Sequence, residues 1–464
     1  MSNHNKYFGN RIFYKWALGI AMPIMLQQMI QSLVSLIDNF MVAGLGDVCM
    51  SGVNVANQVL FVFMIFLNTI CMSGGIYLTQ FYGAGDPKGM QQAFRFKLIT
   101  GLFAFVPYFI VCVAAPRQVL SLMLIGNTEA QAILTEGVTY IRMMFFMGLQ
   151  MTISMCIATS LRDTGQVRIP LYISVVATLT NTFFNWILIY GHLGAPALGV
   201  KGAALATVIA RSLELAIYAG VCLKLRPAFI ISPSALFKLD TGLYKEILKK
   251  GGMVLASEMT WVMSETITTA LYNGRGGADV VSGMAASFAI ANLFFVAFNG
   301  TTAATSVILG STLGSGKLDE ARDQGRWLLT GGAILGVIMM FVAMATTLLV
   351  PVVFGKLSPE ATDICRKMIM LMAVFMPVWI YMNTQLAVAR AGGDTAMGAF
   401  VDAGITVFIM IPAVVLLAVY TDIGPIGLYF YVKLLDIVRV IVFHKWLKRE
   451  RWLRNLAAAD QKSS

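Results

Sequence analysis

Long apolar runs alternate with short polar segments along the whole chain of 464 residues. A membrane-spanning helix needs about 20 mostly apolar residues, and twelve segments of this sequence meet that requirement. The pattern therefore predicts an all-α integral membrane protein with twelve transmembrane helices. The predicted helices are 14–41, 50–79, 97–115, 131–160, 169–191, 197–223, 248–273, 280–312, 326–350, 364–389, 397–420 and 424–444.

The composition supports a lipid environment. The chain is 58% hydrophobic and only 12% charged, and its mean hydropathy is +0.75. Soluble globular domains carry about 25% charged residues, so this chain has too little polar surface to cover a water-soluble particle. The six cysteines are scattered without the spacing of a metal or redox motif, and we interpret them as small core residues.

Positive charge is distributed unevenly between the loops. The net charge is +11, and about 24 basic residues fall in one alternate set of connections against about 7 in the other. Loops rich in Lys and Arg lie on the cytoplasmic side of a membrane protein. The sequence therefore predicts a multi-pass protein of the inner (plasma) membrane with both termini in the cytoplasm, and an even number of spans.

The longest loop divides the chain into two halves of six helices each. The predicted organisation is a cytoplasmic N-terminal segment at 1–13, an N-lobe at 14–223 and a C-lobe at 248–445. A basic cytoplasmic linker at 224–247 joins the lobes, and a basic cytoplasmic tail occupies 446–464.

The two halves share three short patterns in the same order. The offset between copies is nearly constant, and it shortens slightly before the third pattern because one loop is shorter in the second copy. An even number of helices per copy gives both copies the same orientation, so we predict two parallel six-helix lobes around a central cavity. The matching patterns are 46–52 with 277–283, 83–85 with 314–316, and 162–165 with 390–393.

Further motifs follow one another in a fixed order along the chain: Pro23, Asp38 followed by 41–46, 80–85, 161–165 leading to Pro170, 181–185, 202–207 and 390–394. At these motifs the chain resembles the multidrug and toxic compound extrusion (MATE) family, within the multidrug/oligosaccharidyl-lipid/polysaccharide exporter superfamily. The resemblance covers about residues 14–445 and implies two six-helix lobes. It also implies secondary active multidrug efflux by cation antiport: amphiphilic, often cationic organic compounds leave by alternating access while protons or sodium ions flow inward.

Asp38 is the first candidate for the coupling site, because it lies in the apolar first helix and an ionisable group at bilayer depth is costly unless it has a function. Burial disfavours the charged form of a carboxylate, so Asp38 is expected to bind a proton or a sodium ion. Asn181 and Asn185, one turn apart in the fifth helix, and Thr207 in the sixth can supply neutral oxygens.

The resemblance implies the same assignment. In the family an aspartate matching Asp38 and polar residues on the fifth and sixth helices form the N-lobe cation site. Many members carry aspartate where this chain has Asn185, so proton and sodium both remain open here. Pro23 is expected to kink the first helix, either as a hinge that cation binding controls or as a static bend.

Glu258 and Glu265 lie seven residues apart on one face of the seventh predicted helix, and Asp402 lies in the eleventh. Some family members use a glutamate of the seventh helix in a C-lobe cation site with an acid of the tenth helix. This chain has Asn383 and Gln385 in the tenth helix instead. These five residues are therefore candidates either for a second cation site or for a cavity that attracts cationic substrates.

Pairs of opposite charge on one helix are expected to be structural. Arg211 with Glu214, and Asp436 with Arg439, are three residues apart and can neutralise each other. The four acids Asp38, Glu258, Glu265 and Asp402 have no basic partner on their own helix, and this excess of acids favours cationic cargo.

Three alternatives remain. A lipid-linked oligosaccharide or lipid-precursor flippase of the same superfamily would need basic residues for a pyrophosphate. A major facilitator transporter would show another loop signature after the second helix. A membrane enzyme would need a nucleophile or metal cluster, whereas the chain has three histidines, no HExxH motif and no Gly-rich phosphate loop. We predict a monomer that is not an enzyme, takes no cofactor except the coupling ion, and contacts lipid and small organic substrates but no nucleic acid.

Overall fold

The computed structural model describes residues 7–124, 129–354 and 357–460, and this range contains helices and no strands. The all-α prediction is confirmed. Part of the predicted N-terminal segment, residues 1–6, and part of the predicted tail, residues 461–464, lie outside the described residues.

Within the described ranges, twelve helices of 23 to 38 residues occupy the positions of the twelve predicted spans. Ten of them are long and apolar enough to cross a membrane, and the other two, the seventh and twelfth, carry several charges. The helices are α1 (Arg11–Ala43), α2 (Asp47–Ala84), α3 (Pro87–Val113), α4 (Ala130–Asp163), α5 (Arg168–Tyr190), α6 (Val200–Leu225), α7 (Thr241–Asn273), α8 (Ala278–Gly314), α9 (Leu318–Thr346), α10 (Pro359–Ala391), α11 (Met397–Tyr420) and α12 (Pro425–Leu447).

Several helices are longer than their apolar segments. α3 begins at Pro87 rather than at 97, α7 at Thr241 rather than at 248, and α10 at Pro359 rather than at 364. Proline is favoured in the first turn of a helix, where its missing N–H has no partner to lose. The apolar pattern predicts only the part of each helix that crosses the lipid, so it does not include the polar turns at the helix ends.

The helix ends repeat between the two halves. Gly85 and Gly316, which correspond in the repeat, have φ of 66° and 80°, and the corresponding pair Gly165 and Gly393 has φ of 78° and 75°. A left-handed glycine is a common way to end a helix. The internal repeat seen in the sequence thus extends to the backbone conformation.

The ends of α2 and α8 cross at equivalent positions of the repeat. A Cβ on Gly83 would overlap the backbone of Ser311, and a Cβ on Gly314 would overlap the backbone of Gln80. Gln80 corresponds to Ser311 in the repeat and Gly83 corresponds to Gly314, so the two contacts are equivalent. Only glycine allows the backbones to approach this closely.

The chain divides into two compact units. Unit 1 comprises residues 1–25, 79–86 and 248–464, and unit 2 comprises residues 26–78 and 87–247. The helices α1 and α2 each contribute to both units. The boundary in α1 falls just after Pro23, which is the predicted hinge.

Each unit has its own apolar core. In unit 2 the core centres on α4, where Ile141 and Met144 are 1% and 3% exposed. In unit 1 it centres on α8 and α10, where Ala297 and Ala373 are both fully buried. Because lipid tails are as apolar as these side chains, van der Waals packing between the helices stabilises the two cores rather than removal of apolar surface from water.

A buried ion pair joins α3 to α4 in unit 2. The fully buried Lys97 donates to Asp163 at 2.6 Å and also to the hydroxyls of Thr159 and Ser160 at 3.3 and 3.1 Å. A Cβ on Gly74 would meet the Lys97 side chain at 2.6 Å. The ammonium of Lys97 is therefore enclosed, whereas the side chain of Asp163 keeps 15% of its surface accessible.

We predict that Lys97→Met destabilises the protein by about 3–5 kcal/mol, because it leaves the Asp163 carboxylate without its cation. Thermal aggregation of the purified protein, followed by size-exclusion chromatography, measures the change. The double variant Lys97→Met/Asp163→Leu is expected to recover part of the loss. A single variant as stable as the wild type would contradict the assignment.

Candidate functional site

Asp38 lies in the second half of α1, where it faces α5. The half-buried carboxylate accepts a hydrogen bond from Asn185, with 2.9 Å between Oδ1 and Nδ2. Asn185 is 2% exposed. The predicted neighbours Asp38 and Asn185 are therefore in direct contact, although 147 residues separate them in the sequence.

Asn181 lies one turn before Asn185 and bridges Asp38 to α6. Its amide fits its neighbours when the nitrogen faces Asp38, since Nδ2 then donates to Oδ2 at 2.8 Å. In this orientation its oxygen accepts from the backbone N–H and the hydroxyl of Thr207, each at 3.3 Å. The structure thus brings together all four residues predicted for the N-lobe site.

The site holds one carboxylate among neutral groups. No ion pair of Asp38 occurs in the part of the chain that the structure describes, and the nearby Arg211 instead donates to Glu214 at 2.5 Å. The buried Oδ1 of Asn185 has no hydrogen-bond partner among the described residues. A carboxylate beside an unused amide oxygen suits a proton or a hard monovalent cation.

Groups of three or more His, Cys, Asp or Glu side chains that could hold a metal ion are absent from the described ranges. A sodium ion at Asp38 would therefore depend on one carboxylate and on neutral amide, hydroxyl or carbonyl oxygens. The single hydroxyl hydrogen of Thr207 can be donated either to the carbonyl of Ala203, at 3.0 Å, or to the oxygen of Asn181, at 3.3 Å.

The acids of the C-terminal half have basic partners on other helices. The interpretation of Glu258, Glu265 and Asp402 as unpaired acids is wrong, because it considered only partners on the same helix. The observed pairs are Glu258 with Arg390 at 2.8 Å, Glu265 with Lys433 at 3.1 Å, and Asp402 with Arg439 at 3.2 Å.

Arg439 lies at the centre of a buried network that joins α11 and α12 to α7 and α10. It bonds Asp402 and, at 3.7 Å, Asp436, so the ion pair predicted within α12 is confirmed. The Asp436 carboxylate also accepts from the indole N–H of Trp379 at 2.8 Å. Asp402 in turn accepts from the hydroxyl of Ser257 at 3.2 Å.

Lys433 reaches the second ion pair across an aromatic surface. Its ammonium lies 5.6 Å from the ring centroid of Trp379 and 5.3 Å from that of Tyr429, while it donates to Glu265. A cation within about 6 Å of an aromatic face is stabilised by the ring quadrupole. Glu265 is the most exposed of the three C-terminal acids, with 33% of its side chain accessible.

Asn383 and Gln385 of α10 point to different helices. The amide nitrogen of Asn383 donates to the carbonyl of Phe298 and to the hydroxyls of Thr301 and Thr302 on α8, at 3.0 to 3.2 Å. The amide of Gln385 donates to the carbonyl of Val440 on α12 at 3.3 Å. The structure does not place the five C-terminal candidates in one site; they form separate contacts.

The basic partners in this network were not predicted from the sequence. Lys433 is visible there only as a charge inside α12, and Arg390 only as part of a repeated motif. A further feature of the structure lies in α11, where one π-helical segment, Met397–Asp402, ends at Asp402 and a second spans Thr406–Met410. Such turns widen a helix and are frequent at functional sites, but they leave no simple sequence pattern.

A comparison with protein-family models gives two matches to one family. The MatE family model matches residues 23–187 and again residues 254–416. The starts of the two matches are separated by the same offset as the first repeated patterns of the sequence. Together the matches cover well over half of the chain.

Two curated relatives are similar to this chain over most of its length. The chain is 24% identical over 325 residues to the probable multidrug resistance protein NorM of Thermotoga maritima, covering 68% of this chain and 67% of the relative. It is 22% identical over 426 residues to the probable multidrug resistance protein NorM of Halalkalibacterium halodurans, covering 89% of each.

Solved structures show the same fold. A crystal structure of MATE in the straight conformation superposes with a TM-score of 0.83 at 18% identity, covering 96% of this chain and 97% of the other. The twelve-helix fold and the predicted family are thus confirmed. On the two family-model matches, and with the shared fold, the chain belongs to the MatE family, a family of membrane transporters rather than enzymes.

Proposed function

We propose that this chain is a secondary active multidrug exporter that moves amphiphilic, often cationic organic compounds out of the cell by cation antiport. The support is the family, whose curated relatives include proteins named for multidrug resistance, and the contacts of Asp38. The proposal includes an inner-membrane location with both termini cytoplasmic, and a monomer in contact with lipid and small organic substrates.

One observation carries the coupling proposal. The Asp38 carboxylate is held by two amide donors, from Asn181 and Asn185, while the Oδ1 of Asn185 is buried without a partner among the described residues. A carboxylate that is neutralised by no basic residue retains the capacity to bind a proton or a sodium ion. That exchangeable charge is what an antiporter needs.

In the proposed cycle, cation binding changes how the outer half of α1 is held. With Asp38 charged, both amides donate to it and fix α1 against α5. Neutralising the carboxylate weakens these charge-assisted hydrogen bonds. Pro23 offers no backbone N–H donor, so α1 has a point at which its two parts, which belong to different units, can respond separately during alternating access.

For the C-terminal half we propose a role in substrate attraction rather than a second cation site. Glu258, Glu265 and Asp402 each have a basic partner, so none of them has a free charge for a coupling ion. Glu265 is the most exposed and lies beside Lys433, which itself rests on aromatic rings. We expect a cationic substrate to compete with Lys433 for the Glu265 carboxylate and for the adjoining aromatic faces.

The decisive experiment is ethidium efflux from vesicles under an imposed proton gradient and, separately, under an imposed sodium gradient. We expect one of the two gradients to drive efflux. If neither gradient does, and the same vesicles move a lipid-linked sugar instead, the flippase function replaces this proposal.

We predict that Asp38→Asn abolishes gradient-driven efflux while leaving the protein inserted, because the variant can bind neither a proton nor a sodium ion as a carboxylate does. Ethidium efflux measures the loss. The matched control is Asp47→Asn, which changes an exposed carboxylate at the start of α2 and is expected to leave efflux unchanged. Full efflux by Asp38→Asn would refute the coupling role.

We predict that Asn185→Leu raises the affinity of Asp38 for a coupling proton by about tenfold or more, because it removes a hydrogen bond that stabilises the cation-free carboxylate. A hydrogen bond to a charged group contributes about 1.5–3 kcal/mol. The measurement is the dependence of efflux on proton or sodium concentration. Thr180→Val is the control on the same helix, because the Thr180 hydroxyl only bonds the carbonyl of Val176. An unchanged concentration dependence in Asn185→Leu would contradict the geometry.

A further inference from the structure

The chain that follows α12 packs into unit 1 instead of leaving it. We refer to residues 450–458 as the tail segment. Trp452 is 6% exposed and Leu456 is 7% exposed, and a Cβ on Gly325 of α9 would meet the Trp452 ring at 2.8 Å. A Cβ on Gly392, just after α10, would overlap the Trp452 backbone. A segment this closely fitted is part of the folded unit.

Polar contacts fix the start of the tail segment. Arg322 of α9 donates two hydrogen bonds to the carboxylate of Glu450, at 2.8 and 3.0 Å. A two-pronged contact of this kind adds geometric precision as well as energy. The tail segment therefore has a defined register on the helices beneath it.

Gln80, near the end of α2, is the main anchor of the tail segment. It is fully buried. Its Nε2 donates to the carbonyl of Ala391 at 2.8 Å, and its Oε1 accepts from the backbone N–H of Leu456 at 2.7 Å. One side chain of α2 thus joins α10 and the tail segment.

Asn455 ties the tail segment to the helix that crosses α2. Its Nδ2 donates to the carbonyl of Gly314, the last residue of α8, at 3.1 Å. Its Oδ1 accepts from the N–H of Ala458 at 2.9 Å and so holds the side chain in place. The tail segment is therefore bonded to both of the helices that cross.

The tail contacts break the symmetry of that crossing. Gly83 and Gly314 make equivalent backbone contacts, whereas Gln80 is bonded to the tail segment and its counterpart Ser311 donates to Ile308 in its own helix. The repeat by itself explains the crossing, but it does not explain why, of this pair, only Gln80 is bonded to the tail segment.

We propose that the tail segment is a latch that holds the crossing of α2 and α8 closed at the cytoplasmic face and releases when these helix ends part. The proposal rests on the proposed transport cycle and on the cytoplasmic position of the termini. A latch has to be breakable, and this one depends on a few hydrogen bonds and one aromatic side chain. A single hydrogen bond of typical strength changes an equilibrium by about fivefold.

A cysteine placed inside the crossing reports its opening. Thr79 is fully buried there, against Gly310 of α8, so Thr79→Cys reacts with a maleimide only when the helices separate. The full-length protein in inverted membrane vesicles is labelled with a membrane-impermeant maleimide, and the modified cysteines are identified by mass spectrometry. Native Cys112 is fully buried in unit 2 and reports any general unfolding.

The latch variant combines Trp452→Ala with Asn455→Ala. The matched control is Arg454→Ala, which removes an exposed side chain of the same segment. We expect labelling at position 79 to be at least about fivefold faster in the latch variant than in the control, with Cys112 unlabelled in both. Equal rates at position 79 would overturn the proposal, as would parallel labelling of Cys112, because the tail would then only stabilise the fold.

The same labelling in right-side-out vesicles separates this proposal from the proposed function. Faster labelling only from that side would overturn the cytoplasmic position of the latch. Faster labelling from the inverted side in a protein that fails to export ethidium under either gradient would leave the latch supported and reject the export function.

Discussion

A carboxylate kept largely out of water by neutral amides is the interaction on which the proposed function depends. Charges at bilayer depth are costly, and a protein can compensate for that cost with a basic residue or with hydrogen-bond donors. At Asp38 the donors come from Asn181 and Asn185. Because amides do not neutralise the charge, we propose this carboxylate as the group that exchanges the proton or sodium ion during transport.

In the C-terminal half, basic residues rather than amides compensate for the cost of burying carboxylates. Each of its deep acids has an ammonium or guanidinium partner. The repeat allows a direct comparison of the two halves, because the glycines of α6 align with those of α12. α6 follows Gly199 and contains Gly202, and α12 follows Gly424 and contains Gly427 at the corresponding positions.

In this alignment the two copies carry the same ion pair with the signs exchanged. Arg211 and Glu214 of α6 correspond to Asp436 and Arg439 of α12. The first pair stays within α6, whereas Arg439 also reaches Asp402 on α11. The two copies thus differ in their electrostatics: one has a carboxylate, Asp38, without an ion pair among the described residues, and the other has ion pairs beside an aromatic surface.

The crossing of α2 and α8 is a second place where the repeat is symmetric and the added contacts are not. Glycine at equivalent positions lets α2 and α8 cross with their backbones touching, an arrangement that needs no side-chain complementarity. The tail segment adds contacts on one side of the crossing. In the proposed latch, these contacts favour the closed arrangement of the crossing over an open one.

The number and order of the helices, the repeat and the proximity of the four N-terminal candidate residues could all be predicted from the amino-acid sequence. The length of each apolar run predicts a membrane-spanning helix, and the constant offset between matching patterns indicates an internal duplication. The family motifs identified Asp38, Asn181, Asn185 and Thr207. Local spacing also sufficed for Asp436 with Arg439, because residues three apart on a helix must be neighbours.

The partners of Glu258 and Glu265 could not be predicted in this way, since they lie 132 and 168 residues away along the chain. The same holds for the tail segment, whose Leu456 bonds Gln80 across 376 residues. A hydropathy pattern records which residues avoid water, but it does not record which helix faces which. Packing makes that choice, because ion pairs, aromatic faces and glycine contacts exist only once the helices are side by side.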